Sequence, residues 1–204
     1  MDEARRGFTG AIIAGGAASR FSGHPKGLER VGGRRVIDRV AGALAPHTGS
    51  LLIAANHPDA AQWISGAAIA RDVLPVTASV TGIHAALAAA GGSIVAIAWD
   101  MPFVPDTLVA ELTARLAPGT MAVVPRPSRG PEPLCAAYAA AATTELERLV
   151  RSGTTKLTDI LGQLGRVAWI EDDALRRIGD PDVMFFNVNT AADLARANEI
   201  DRSL

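Results

Sequence analysis

A chain of 204 residues, 49% hydrophobic, with 20 basic against 21 acidic side chains and a formal charge of -1, is long enough for one well-buried domain and too apolar for a disordered one. An aromatic content of 4% without a long basic stripe argues against the common nucleic-acid modules, and the single cysteine, Cys135, excludes an internal disulfide and zinc frameworks built on cysteine pairs. The expectation is a soluble, cytoplasmic protein folded as one domain over residues 1–204, with neither signal peptide nor membrane span, because the apolar runs Ala11–Ala18 and Leu87–Trp99 are short and broken by glycines.

Thr9–Ala14 is an apolar run ending in glycines and reads as a buried strand feeding a loop. Val36, Ile37, Val40, Ala41 and Leu44 recur at helical spacing and stop near Pro46. Leu51–Ala55 reads as a second strand, Ala61–Ile64 as a short helical stretch, Ala67–Val73 as a third strand, and Gly82–Ala90 as an alanine-rich helix with Ser79 and Thr81 as candidate N-caps. Ile94–Ala98 is the next buried strand, followed by a helix over Pro105–Leu116 and strands over Met121–Val124 and Leu134–Tyr138. Helices over Ala139–Arg151 and Thr155–Leu164, a strand over Val167–Ile170 and a closing helix over Thr190–Ile200 complete the pattern. Alternation of this kind predicts a three-layer α/β/α sandwich, Rossmann-like, with a mostly parallel sheet. Pro125–Pro133, with four prolines in nine residues, reads as an irregular insertion.

Charge is not evenly spread: residues 1–40 carry eight basic and four acidic side chains, and the remainder is acidic on balance. A basic start fits either an anionic ligand or a solvated face over Glu29–Arg39. In an open α/β sheet ligands bind beyond the carboxyl ends of the strands, which is where Ala14–Lys26, AGGAASRFSGHPK, lies. Gly15 and Gly16 allow backbone N–H groups to approach phosphate oxygens, and Arg20 and Lys26 add full charges. Neither G-x-G-x-x-G nor a Walker G-K-[ST] is present, which argues against a nicotinamide oxidoreductase and a P-loop enzyme. The chain has 18 Arg and only two Lys, so Lys26 stands out as a compact ammonium suited to a place between phosphates.

Asp100 follows the strand Ile94–Ala98 directly and emerges at the same sheet edge. A carboxylate beside a polyphosphate calls for a cation, and Mg²⁺ commonly takes one or two carboxylates together with phosphates and water. The structural alternative for Asp100 is a helix N-cap or turn former before Pro102. Asp72, after the third strand, is a candidate contact to a ribose or base edge or a partner for Arg71. Asn187 and Asn189, two apart, share a face if extended, with Thr190 or Asn189 capping the last helix. Arg126 and Arg129 in the proline-rich insertion suit either guidance of an anionic acceptor or exposed connectors.

The segments IAGGAASRF, HPKGL, WDMPFVP, EPLCAAY and FFNVNTAADL occur in this order over essentially the whole chain, and together they resemble the molybdenum cofactor guanylyltransferases, within the nucleotidyltransferases. The resemblance implies transfer of GMP from GTP to molybdopterin, release of pyrophosphate, and Mg²⁺ as cofactor. It also implies a recipient molybdoenzyme or its chaperone as a downstream partner, and no nucleic acid or membrane. Carried over by position, Ile13, Ala14, Gly15 and Gly16 are expected in the guanine- and phosphate-binding stretch. Lys26 is expected as phosphate-binding lysine with Arg20 beside it, and Asp100 as Mg²⁺ ligand. Asn56, Asp72 and Gly82 are expected as nucleotide contacts, and Asn187 and Asn189 on the acceptor side. Departures from the family pattern are Pro25, where an aspartate is usual, Ala78–Ser79–Val80–Thr81, which keeps only Gly82 of a Gly-Pro-Leu turn, and Ala54, with Asn56 close by. These bear on base choice, so a related transferase using CTP or another acceptor, or a non-catalytic delivery module, remains open at this level.

Overall fold

Strand β1, Phe8–Ile13, runs through the middle of the molecule with Ala11 to Ile13 at most 3% exposed, as a strand covered on both faces should be. The structure is a computed structural model that describes residues 7–15, 20–21, 24–74, 76 and 78–204. Two small hairpins follow β1: β2, Arg20–Phe21, pairs with β3, His24–Pro25, and β4, Arg30–Val31, pairs with β5, Arg34–Arg35. Helix α1, Val36–Leu44, leads into β6, Ser50–Ala54, and β7, Ala68–Ala70. Next come α2, Ser79–Ala90, β8, Ser93–Ala98, and α3, Asp106–Arg115. Strands β9, Ala122–Arg126, and β10, Cys135–Tyr138, precede helices α4, Ala142–Arg151, and α5, Leu157–Leu161. The chain closes with β11, Val167–Glu171, two short helices, α6, Asp172–Arg176, and α7, Pro181–Met184, and the longer α8, Ala191–Ser203.

The main sheet has the order β11-β9-β10-β8-β1-β6-β7, and every strand is parallel to the rest except β10, which runs antiparallel between β8 and β9. One face buries Ile12, Ile53 and Ile97 under Ile37, Val40, Leu108 and Leu112 of α1 and α3. The other buries Ala11, Ile13 and Ala96 under Val80, Ile83, Leu146 and Leu149 of α2 and α4. This is the α/β/α sandwich that alternation predicts. Alpha-helical amphipathicity accounts for α4, whose buried Ala142, Leu146, Leu149 and Val150 fall on one stripe, while Glu145–Arg148 and Glu147–Arg151 pairs line the outside. Residues Val80 to Leu87 of α2 are buried almost all round, because that helix is wedged between the sheet and α4. A third, smaller cluster, Val31, Val36, Phe103, Val188 and Ala197, docks α8 onto the β4–β5 hairpin. Among the described residues no helix is long and apolar enough to cross a membrane.

Several boundaries differ from the sequence expectations, each for a local reason. The third strand is only Ala68–Ala70, because Asp72 turns away to bond Asn56. Helix α2 begins at Ser79 with Ala78 as an N-cap that offers no side-chain bond; neither Ser79 nor Thr81 caps it, and the Thr81 hydroxyl instead reaches Ala78 O and Asp72. The stretch expected over Thr155–Leu164 is helical only at Leu157–Leu161. The expected Ala61–Ile64 helix is a 3₁₀ turn at Pro58–Gln62. Thr190, not Asn189, caps α8, in a reciprocal arrangement with Asp193. Arg126 is the last residue of β9 rather than part of an irregular loop.

Candidate functional site

The strand order sets where a ligand can sit. From β1 the chain builds outward through β6 and β7, then crosses back to place β8 on the other side of β1, and this reversal opens a crevice at the carboxyl ends of β1 and β8. Ile13 O at the end of β1 accepts from Trp99 N, and Ala14 N donates to Ala54 O, so the three central strands end in register beside Asp100. Lys26, first residue of a 3₁₀ turn after β3, reaches Asp100 at this edge.

Lys26 Nζ lies 2.5 Å from Asp100 Oδ2 and 2.7 Å from Asn189 Oδ1. Both ends of the ion pair are 9% exposed at the side chain, so an ammonium and a carboxylate are held largely out of water, a placement tolerated only when the charges are paired and hydrogen-bonded. The C-terminal segment is tied to the same acid through its backbone, Val188 N donating to Asp100 O at 2.9 Å. Asn189 in turn is fixed by α8, where Asp193 Oδ2 accepts from Asn189 N and from Thr190 N. Helix capping therefore seats a side chain of the site. Capping bonds also hold the Asp193 carboxyl below its ordinary range, against the opposing effect of its desolvation.

The seat of Lys26 is shaped by aromatic packing. Trp99 is buried, stacks on Trp63 with ring centroids 5.0 Å apart, and lies so close to Gly27 that a Cβ there would meet its ring at 2.4 Å. Only glycine lets the turn carrying Lys26 close on that ring. The indole N–H of Trp99 is buried without a partner among the described residues.

A second group lies at the ends of β6 and β7. Asn56 Nδ2 donates to Asp72 Oδ2 and Asp72 N donates back to Asn56 Oδ1, both at 3.0 Å, while Thr81 Oγ1 reaches Asp72 Oδ2 at 2.8 Å. Arg71 bonds Asn56 O rather than Asp72. This pocket wall is polar and open: Asn56 is exposed and Asp72 half-buried. Val73 beside it is 71% exposed, one of two large apolar side chains so exposed among the described residues.

The residues singled out in the sequence divide as follows. Lys26, Asp100 and Asn189 are joined by direct bonds, and Asn56 joins Asp72. Asn187 is half-buried and donates from Nδ2 to Phe185 O at 3.0 Å, two residues from Asn189. Ile13 and Ala14 are buried and contribute backbone to the strand junction. Gly15 is exposed, with open space where a side chain would be. Gly82 is buried with Ile13 Cγ2 only 3.1 Å from a notional Cβ, so its missing side chain lets α2 approach β1. Gly16 and the side chain of Arg20 lie outside the described residues. Sequence reasoning did not find Thr81 as a partner of Asp72, nor the Gly27–Trp99 contact; the signal for the latter is a glycine directly after the lysine and a tryptophan directly before the aspartate.

An open α/β sheet with its reversal beside β1, and a lysine and an aspartate meeting at the β8 end, define an α/β fold with a ligand crevice at the strand ends, the setting of a nucleotide-binding enzyme. The model of the MobA-like NTP transferase domain matches residues 10–167, and the chain belongs to that family. Among its relatives, the molybdenum cofactor guanylyltransferase of Desulfosudis oleivorans is 35% identical over 192 residues, covering 93% of each chain. A probable molybdenum cofactor guanylyltransferase of Pelotomaculum thermopropionicum is 34% identical over 93% of this chain and 91% of its own. Of solved structures, molybdopterin-guanine dinucleotide biosynthesis protein A from Archaeoglobus fulgidus superposes with a TM-score of 0.80 at 32% identity, over 96% of this chain and 100% of that one.

Proposed function

We propose that this chain transfers GMP from GTP to molybdopterin, forming the guanine dinucleotide cofactor and releasing pyrophosphate. The observation that carries the reading is the meeting of Lys26, Asp100 and Asn189, from three distant segments, at the sheet reversal; the names of the relatives supply the substrates. A phosphate oxygen of the acceptor attacks the α-phosphorus of GTP in line, the bond to the β-phosphate oxygen breaks, and no covalent enzyme intermediate forms. Catalysis is then positioning and charge neutralisation. The Lys26 ammonium, already desolvated and aimed into the crevice, offsets charge on the triphosphate and departing pyrophosphate. Gly15 offers its backbone N–H to phosphate oxygens, with Gly16 and Arg20 following in sequence as a further candidate phosphate contact and cation. Asn56 and Asp72 hold the guanosine, Thr81 fixing the Asp72 carboxylate. Asn187 and Asn189 orient the acceptor.

Mg²⁺ fits this arrangement at Asp100. Oδ2 is bonded by Lys26, Oδ1 has no protein partner among the described residues, and there no group of three or more His, Cys, Asp or Glu stands ready to hold a metal by itself. One carboxylate plus substrate phosphates is an ordinary donor set for Mg²⁺. When bound, the ion supplies charge neutralisation at the reacting phosphates. We place the reaction in the cytoplasm, with the product passing to a recipient molybdoenzyme or its chaperone.

The test is product analysis by mass spectrometry with Mg²⁺, molybdopterin and either GTP or CTP. The guanine dinucleotide from GTP alone is the expected result. The cytosine dinucleotide as sole product overturns the base assignment, and tight GTP binding without any product overturns the catalytic reading in favour of a delivery module.

A further inference from the structure

The proline-rich segment between β9 and β10 lies at the same edge as Asp100, since β8 and β9 both run antiparallel to β10 and so end at one edge, and Leu134 O, at the segment's end, accepts from Ala98 N at 2.8 Å. Its Arg129 is exposed, yet its guanidinium is bonded by the protein. Arg129 Nη2 donates at 2.8 Å to Glu132 Oε1 and at 3.1 Å to Phe185 O. That same carbonyl accepts from the Asn187 side-chain amide at 3.0 Å. Phe185 itself is 1% exposed, with the guanidinium carbon 5.9 Å from its ring centroid. Glu132 is held in place by its own backbone, N to Pro125 O at 2.9 Å and O from Cys135 N at 3.0 Å. Partial burial raises the Glu132 carboxyl above its ordinary range, while the Arg129 contact lowers it.

One carbonyl thus receives two donors, one from the insertion and one from the asparagine. We propose that Arg129 and Glu132 are positioning residues for the acceptor side: Glu132 orients the Arg129 fork, Arg129 pins Phe185 O, and the pinned carbonyl fixes the Asn187 amide, leaving its Oδ1 available to a polar group of the acceptor. The inference rests on the reading of Asn187 and Asn189 as acceptor-side residues. It assigns the proline-rich insertion a task that neither exposed connector arginines nor direct guidance of an anion would give it, because the guanidinium is engaged by protein at both ends. A planar fork can serve both acceptors at once, whereas a lysine supplies a single point charge.

The experiment uses the full chain carrying Arg129→Ala, Arg129→Lys or Glu132→Gln, with steady-state kinetics in GTP and in molybdopterin and with amide hydrogen exchange over residues 185–189. Expected for Arg129→Ala is a rise of at least fivefold in KM for molybdopterin, KM for GTP within twofold of native, and faster exchange at Val188. Arg129→Lys should fall between native and alanine, and Glu132→Gln should shift the same KM in the same direction. Equal changes in both KM values, or none, overturn the proposal, because a general packing defect would not select one substrate. Should the native protein fail to make the dinucleotide, the proposed function falls and the exchange arm alone decides the positioning claim: unchanged exchange at 185–189 in Arg129→Ala overturns it, and an increase confined to that segment supports it.

Discussion

The two polar clusters at the sheet edge are built in opposite ways. Around Asp100 the charges are buried and paired, and each partner comes from a different part of the chain, Lys26 and Asn189 standing 163 positions apart. Around Asp72 the partners are neutral amide and hydroxyl groups, one of them in exposed surroundings, and they come from neighbouring strand ends and the start of α2. A preorganised, desolvated charge does most for a reacting phosphate, where electrostatic effects are strongest and reorganisation is costly. A neutral, open wall suits recognition of a nucleoside by exchangeable hydrogen bonds. The contrast teaches that the cluster proposed as the reacting end depends on the folded whole, while the cluster proposed for nucleoside recognition is assembled locally.

The contrast can be broken most directly at Lys26. Lys26→Ala should lower turnover by on the order of 10²–10³, by analogy with loss of a transition-state donor, and should leave GTP binding measurable. Initial-rate kinetics check this, and a loss smaller than tenfold in folded protein would put the reacting end elsewhere. Asp100→Ala should also cost stability, about 3 kcal/mol by urea unfolding, since it strands a buried ammonium whose one remaining acceptor among the described residues is Asn189. Next in size is Gly27→Ala, whose new Cβ would press on Trp99 and cost roughly 1–3 kcal/mol of overpacking. Turnover should fall with it, because Lys26 moves.

On the recognition side the effects shrink. Thr81→Val removes one bond to Asp72, worth about 1 kcal/mol, so KM for GTP should rise roughly fivefold with kcat nearly unchanged. A parallel fall in kcat would erase the division between the two clusters. Smallest and most remote is His84, in α2, where burial pushes the imidazole below its ordinary 6.5, with Arg151 adding to the effect and Glu147 and Asp72 opposing it. Below pH 6.5 the unfolded chain takes up a proton that the folded chain resists, so this contribution to stability is complete above 6.5 and is lost as pH falls towards the folded value. Urea unfolding at pH 7.5 and 5.5 should show a drop that His84→Gln reduces, with activity at pH 7.5 retained.

Much of the architecture was legible because buried strands write themselves as apolar runs. Thr9–Ala14, Leu51–Ala55 and Ile94–Ala98 match β1, β6 and β8 to within a residue or two. The antiparallel direction of β10 was not legible, since Leu134–Tyr138 carries no mark of polarity along the chain. Helices α6 and α7, of five and four residues, are too short to show a period, and the two-residue strands of the hairpins are shorter still. In the site, Lys26 stood out against an arginine-rich composition and Asp100 by following a strand. Their contact, and that with Asn189, depends on packing between segments that local patterns cannot relate. Arg129 read as an exposed connector, and exposed it is, but its bond to Phe185 O exists only once the segment after α7 folds back on the insertion, whereas Glu132 lies three residues along the same segment. Gly27 read as a turn, and only Trp99 beneath it reveals the close approach.

The central claim, that Lys26 and Asp100 form the reacting end, is tested most directly by single-turnover pyrophosphate release at saturating GTP, molybdopterin and Mg²⁺ for the native chain, Lys26→Ala and Asp100→Asn. The account predicts that both variants bind GTP yet release pyrophosphate at least a hundredfold more slowly, in line with loss of one transition-state contact. Release within tenfold of native from either folded variant would contradict it.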